Sequence, residues 1–368
     1  MTAQIADVAI VGDGIAGLTV AHECALRGLR VALCGSTRRG AATPASAGIL
    51  GPSIGGRAPD DPVQQFMIAA RDTYPAFLER LLALTGVAVP TVRGIIQFPE
   101  SNAALDTAVR ETPPDAVVLT RDEVAGLEPA LPRGWIALFH ARDGAVDVPA
   151  LLAALHSAID HSPSVARRGM ALQVKVADAT RATIELHDGS RIVAAHVVIA
   201  NGAWAGTLLD PRPALPVAPL KGEVAFSPLV PVRHVVFGAG GYLVPRGTEL
   251  LVGATSQQAD FDASTTATAT NSLASVADAL LPESAPWRHR FTRQLAGLRP
   301  VTPDFLPILG SDPDQPVIVY ACGYSRNGVL LAPLAASCVA AEISGQPATY
   351  DLAPYSCARF TAAGSAAG

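Results

Sequence analysis

Val8-Ala9-Ile10-Val11-Gly12-Asp13-Gly14-Ile15-Ala16-Gly17 decides the fold. Four apolar residues in a row mark a strand buried on both faces, as in a parallel sheet covered by helices. The glycines follow at once, and Leu18 to Leu26 reads as a helix that ends at Gly28. Arg30-Val31-Ala32-Leu33 then reads as a second strand. A Gly-x-Gly-x-x-Gly run is weak evidence alone, but between a strand and a helix it marks a dinucleotide site. Gly12 permits the tight turn, Gly14 lets a pyrophosphate approach the backbone, and Gly17 lets the helix pack on the strand. Ile15 and Ala16 open the helix, whose N-terminal N–H groups and partial positive charge face the phosphates.

Such units normally carry an acid at the end of the second strand for the ribose hydroxyls. Here that place reads Leu33-Cys34-Gly35-Ser36, and neither Cys34 nor Gly35 can take the role. Ser36 offers one hydroxyl where a carboxylate accepts two bonds; the alternative is Arg38 or Arg39 on the adenosine phosphate. The ribose contact is open, the pyrophosphate site is not. Only one fingerprint is present, which disfavours a flavoenzyme that also holds a nicotinamide, but NAD and FAD alone both fit these residues.

The remaining composition narrows the class. The chain has 368 residues, 49% hydrophobic and 16% charged, enough apolar material for a large core in one or two domains. A net charge of −5 argues against a dedicated nucleic-acid binder or a polybasic membrane-surface protein. Lys175 and Lys221 are the only lysines, so 25 of the 27 basic residues are arginine. Five scattered cysteines, with no C-x-x-C, indicate free thiols and a reducing compartment. Asp7 and Asp13 interrupt the N-terminal apolar stretch, which reads as no secretory signal, and no run reaches the ~18 apolar residues of a membrane span. A soluble, cytoplasmic protein is expected; the sequence is compatible with a homo-oligomer.

Further along, Leu78 to Leu84 reads as the end of a buried helix stopped by Gly86, and Pro149 to Ile159 as another helix. Residues 171–176, 182–186 and 196–200 read as strands, with a turn at Asp188-Gly189. Residues 222–226, 235–237, 241–244 and 250–252 read as an antiparallel sheet, and Ala263 to Ala274 as a helix start or a mobile loop. Val317 to Ala321 is a buried strand, Gly328 to Ile343 a final helix, and Thr361 to Gly368 a disordered tail. The expected fold class is therefore α/β: a Rossmann-like domain from residues 1–85, 143–215 and 295–368, with an inserted antiparallel β-rich substrate domain from 86–142 and 216–294.

Several segments point to one family. They are Ala45-Ser46-Ala47-Gly48-Ile49-Leu50-Gly51, Asp143 to Pro149, Val197 to Trp204 with its Ala-Asn-Gly-Ala-Trp ending, Tyr242-Leu243-Val244-Pro245-Arg246, Gly297 to Asp304, and Gly323 to Leu331. Together with the glycine loop they resemble the flavin amine oxidases that include D-amino-acid oxidase, sarcosine oxidase and glycine oxidase, the glycine oxidase branch above all. The likeness runs over nearly the whole chain. It implies FAD as cofactor, with Ser46, Ala47 and Gly48 beside the flavin ring. It also implies cofactor contacts from Val174, Asn201, Gly202 and Trp204, and from Arg326, Asn327, Gly328, Val329 and Leu330 at the last helix. That N-terminus favours negative charge on a reduced flavin. Arg299 is then the carboxylate clamp, Tyr242 a hydroxyl donor to the same carboxylate, and Arg326 a flavin contact or second clamp.

Two departures stand out. Where glycine oxidases typically carry a histidine two residues before the tyrosine, this chain has Gly240; where they tend to carry a methionine after Gly-Ala-Thr, it has Ser256. The pocket is expected to have gained room, so that glycine is not the best substrate. No cysteine lies in Gln294 to Arg299, where some relatives attach the flavin, so the FAD is expected to be noncovalent. The implied reaction is hydride loss from the C–N carbon of a small amino acid or amine to the flavin, with oxygen as acceptor and hydrogen peroxide as product. The competing readings are a flavin dehydrogenase with another acceptor, an inactive flavin-binding protein, and a nicotinamide-dependent dehydrogenase.

Overall fold

The apolar run at residues 8–11 forms the middle of a sheet in the computed structural model, which describes residues 4–35, 38–55, 57–58, 60–99, 116–132, 134–210, 215–282 and 286–361. In chain order the described strands are β1 (Gln4–Val11), β2 (Val31–Cys34), β3 (Ile49–Leu50), β4 (Thr91–Gln97), β5 (Ala116–Leu119), β6 (Ala137–Val146), β7 (Val165–Arg168), β8 (Ala171–Asp178) and β9 (Arg181–Leu186). They continue with β10 (Arg191–Ile199), β11 (Leu209–Asp210), β12 (Ala218–Ser227), β13 (Val235–Gly238), β14 (Gly241–Arg246), β15 (Glu249–Gly253), β16 (Arg293–Val301), β17 (Ile308–Ser311) and β18 (Ile318–Cys322). The helices are α1 (Ile15–Leu26), α2 (Pro62–Thr85), α3 (Arg121–Leu127), α4 (Val148–Asp160), α5 (Ala267–Leu280), α6 (Gly328–Ile343) and α7 (Ala358–Thr361).

The first sheet has a parallel centre in the order β7-β2-β1-β10-β18, with β17 antiparallel at its edge. The outer edge of β10 is divided: residues 191–194 pair with the β8–β9 hairpin and residues 197–199 with β18. Crossover helices α1, α2, α4 and α6 cover one face and share a core that includes Leu18, Phe77, Leu155 and Leu334. α6 is apolar nearly all round because almost the whole of it is buried, which is why its sequence shows no polar stripe. The β8–β9 hairpin and Tyr320 build the second core, on the other face.

The second sheet runs β16-β12-β15-β14-β13-β4-β6-β3, with β5 on β6. It is antiparallel as expected except at one joint, where β13 and β4 run parallel because the chain between them returns through β5 and β6. Of the ambiguous Ala263–Ala274 stretch, residues from Ala267 on belong to α5, capped by the Thr266 hydroxyl, which packs with the fully buried Trp287 on one face. The boundaries drawn at 143 and 295 fall inside β6 and β16, and both strands belong to the second sheet over their whole length. Gly144 reads like loop sequence, but it sits under β4, where a Cβ would meet the Val92 carbonyl oxygen at 2.0 Å. Ser36 and residues 362–368, the expected tail, lie outside the described residues.

Gly17 fixes the distance between α1 and β1: a Cβ there would lie 1.8 Å from the Gly12 carbonyl oxygen, and backbone cannot give way as a side chain can. Overpacking of this kind costs about 1–3 kcal/mol or more. Gly17→Ala is expected to lower Tm by about 1–4 °C in a thermal unfolding scan, or to abolish soluble protein.

Candidate active site

A cavity of about 1020 Å³ runs from the C-terminal ends of β1 and β2 to the second sheet. Its first wall is the glycine loop. Gly12 has φ +117°, a region that side chains avoid, and a Cβ there would lie 2.4 Å from the Ala200 carbonyl oxygen at the end of β10. Gly14 faces the cavity, with only the Thr43 hydroxyl near its missing side chain.

Helix capping singles out this cavity. α2, α3, α4 and α5 each receive a side-chain oxygen at the N-terminus, from Asp61, Thr120, Asp147 and Thr266. Gly14 and Asn327, which precede α1 and α6, give none, and both line the cavity. The first intrahelical bonds are Leu18 N–H to Gly14 O and Leu331 N–H to Asn327 O, so the N–H groups ahead of them need outside partners. Thr43 takes one, accepting from Ile15 N–H at 3.2 Å. Two buried polar atoms on the cavity wall also lack partners: Asn201 Oδ1 and the Tyr324 hydroxyl.

The far end is built by the second sheet. β12 and β16 pair along their length from Ala218↔Val301 to Phe226↔Arg293. This register lays the Arg299 guanidinium across Gly222, where any Cβ would come within 2.3 Å of it. Arg299 Nη1 donates to the Thr255 carbonyl at 3.1 Å, and no carboxylate of the described residues pairs with it. Tyr242 and Arg326 stand on the same wall, and each feels the charge of Arg299 or adds to it. Burial is the main reason that the Arg299 pKa is lowered, with the Arg326 cation adding to it and Tyr242 opposing. Burial pushes the Tyr242 phenol up, against the pull of Arg299 and Arg246, so its hydroxyl stays a donor at neutral pH.

The arrangement matches a known family. A family model described as FAD dependent oxidoreductase, the DAO family, matches residues 7–342. This chain belongs to the DAO family of FAD-dependent oxidoreductases. Glycine oxidase from Geobacillus kaustophilus (strain HTA426) is 32% identical over 371 residues, covering 96% of this chain and 97% of that protein. The crystal structure of glycine oxidase from the same species superposes with a TM-score of 0.86 at 31% identity, over 96% of this chain and 98% of that one. Iminodiacetate oxidase from Chelativorans sp. BNC1 gives 0.84 at 25% identity, over 95% and 98%.

As a DAO-family enzyme the protein uses FAD, and the cavity fits it. The bare glycine loop and open α1 N-terminus suit a pyrophosphate, while the open α6 N-terminus and the unpartnered Asn201 Oδ1 suit flavin polar atoms. Of the residues expected from sequence, Gly12, Gly14, Ile15, Ala16, Arg38, Ser46, Ala47, Gly48, Asn201, Gly202, Trp204 and Arg326 to Leu330 all line the cavity. Arg38 lies over the Trp204 ring at 5.4 Å. Gly17 lies behind the loop, as its packing role requires. Val174 is not on the wall: it is fully buried in the second core under β11, and Met170 and Ala171 from the start of that strand line the cavity instead. Sequence reading missed Thr43 and Gly222. Thr43-Pro44 carried a weak turn signal; Gly222 carried none, because its role exists only once β16 lies beside β12.

Cys34 and Cys322 also border the cavity, and burial pushes both thiols up, Cys34 to about 12. Neutral thiols are poor nucleophiles. Acid precipitation is expected to release the yellow cofactor into the supernatant; colour retained in the pellet would contradict noncovalent binding.

Proposed function

We propose that this enzyme oxidises the C–N bond of a small amino acid or N-substituted amino acid to the imine, with dioxygen as final acceptor and hydrogen peroxide as product. Arg299 carries the reading. A half-buried guanidinium with one carbonyl contact and no acid partner has donors left for a planar anion, and a carboxylate takes two of them in parallel. The Tyr242 hydroxyl, with no hydrogen-bond partner among the described residues, adds a donor beside it. FAD supplies the two-electron acceptor. The chain's own part is to anchor the carboxylate at the second sheet so that the neighbouring carbon faces the first, and to exclude water. Water then hydrolyses the free imine to the oxo acid, releasing ammonia from an amino acid or an amine from an N-substituted one.

The pocket favours substrates larger than glycine. Gly240 and Ser256 line the cavity, and a Cβ on Gly240 would meet nothing within 4 Å. Anaerobic addition of glycine, sarcosine and bulkier amino or hydrazino acids, followed by air, tests both points. Bleaching and reoxidation are expected with at least one amino acid, with kcat/KM higher for a bulkier acid than for glycine. A clear preference for glycine removes the argument about room; no bleaching by any of them removes the reading.

Arg299→Gln leaves the carboxylate without its paired bonds. Loss of a charged hydrogen bond is worth about 1.5–3 kcal/mol, so kcat/KM for the best amino acid is expected to fall roughly ten- to hundred-fold, with FAD retained. The pH dependence belongs to the substrate. The amine must be neutral to release hydride, so kcat/KM rises with pH through the ammonium pKa. Burial moves the Tyr242 phenol upward, away from neutral pH, so the limb is assigned to the substrate. In Tyr242→Phe the limb is expected to keep its position while KM rises; a displaced limb in the pH profile would show that the phenol takes part in proton transfer.

A further inference from the structure

The missing ribose acid has a replacement, and it comes from inside the glycine loop. Of the described residues on the cavity wall, Asp13 is the only carboxylate. Its side chain points at the end of β2: a Cβ on Gly35 would lie 2.4 Å from Asp13 Cγ, 2.5 Å from Asp13 Cβ and 2.8 Å from Asp13 Oδ1. The Asp13 carboxyl thus fills the space that a side chain at position 35 would occupy. The placement is fixed by β1–β2 pairing at Val11↔Cys34 and by Gly12 N–H donating to Cys34 O at 2.8 Å. Asp13 is half-buried and accepts no hydrogen bond from the described residues. His156, which also borders the cavity, is close enough for the two charges to be felt, but its Nδ1 is engaged with Arg167 at 3.0 Å.

A carboxylate in a dinucleotide loop would repel the phosphates if it faced them; here it turns away, toward the strand end where ribose hydroxyls are accepted in folds of this kind. We propose that Asp13 is the ribose-binding residue of this enzyme, its carboxylate accepting the adenosine ribose hydroxyls of FAD, and that Gly35 is glycine so that Asp13 can reach them. The two positions then form a coupled pair in which the acid has moved from the second strand to the loop. The inference rests on FAD filling the cavity.

The test uses the dissociation constant for FAD, read from the fluorescence of flavin released on diluting the purified holoenzyme. Asp13→Ala is expected to weaken FAD binding at least ten-fold, and the isosteric Asp13→Asn to do so if the alanine variant does not fold. Gly35→Glu alone, which drives a side chain into Asp13, is expected to weaken it too. The double variant Asp13→Gly/Gly35→Glu, which returns the acid to the strand end, is expected to recover to within about three-fold of the parent protein. An FAD analogue with 2′-deoxyadenosine should bind the parent protein more weakly than FAD but lose nothing further in Asp13→Ala. Unchanged FAD affinity in Asp13→Ala or Asp13→Asn, or a double variant no better than Gly35→Glu alone, would overturn the assignment. A parent protein that holds no FAD would overturn the cofactor reading itself and this proposal with it.

Discussion

A guanidinium kept half out of water without an acid beside it is costly, and the second sheet is organised around Arg299 in that state. Its contrast is Arg71, which is buried between Asp143 at 2.7 Å and Asp72 at 2.8 Å and has its charge answered inside the protein. In a chain with so many arginines, this difference sets Arg299 apart from a cation answered inside the fold, and the proposed carboxylate clamp is built on it. The conditions that hold Arg299 are exacting. β16 must lie along β12 in one register, residue 222 must lack a side chain, and the Thr255 carbonyl must offer a single anchor. A slip of one residue would turn the guanidinium to the other face of the sheet.

The opposite wall follows the same rule by omission. Side-chain caps stabilise helices by roughly 0.5–2 kcal/mol, and four helices here have them. α1 and α6 forgo them at the place where both ends open on the cavity. A dinucleotide bound in the cavity would offer acceptors to these ends, and its binding would then add to stability.

Much of this was legible in the chain. The strand, glycine loop and helix at residues 8–26 could be read because spacing alone determines them, and the last helix because an apolar run from Gly328 follows a buried strand; that Asn327 leaves its end uncapped could not, since asparagine is a favoured cap. What escaped depends on partners far away in sequence. Gly144, drawn into the first domain with residues 143–215, belongs to β6 under β4, and the parallel β13–β4 joint needs the path through β5 and β6. Val174 is expected at the cofactor but lies in the core, and the cavity is reached three and four residues earlier, from Ala171 and Met170, ahead of a register shift in β8. Asp13 was read as an interruption in an apolar stretch; only the geometry at Gly35 gives it a purpose.

The divided edge of β10 also governs biosynthesis. The first strand pairs with β2 on one side but gains its second neighbour only when β10 arrives, and β10 lacks an outer partner along residues 197–199 until β18 emerges. α1 stays bare on one flank until α6 follows, since both belong to one core. The sheet that walls the cavity therefore stays unfinished until strands far apart in the chain have met, and its apolar surface is open to wrong contacts until then.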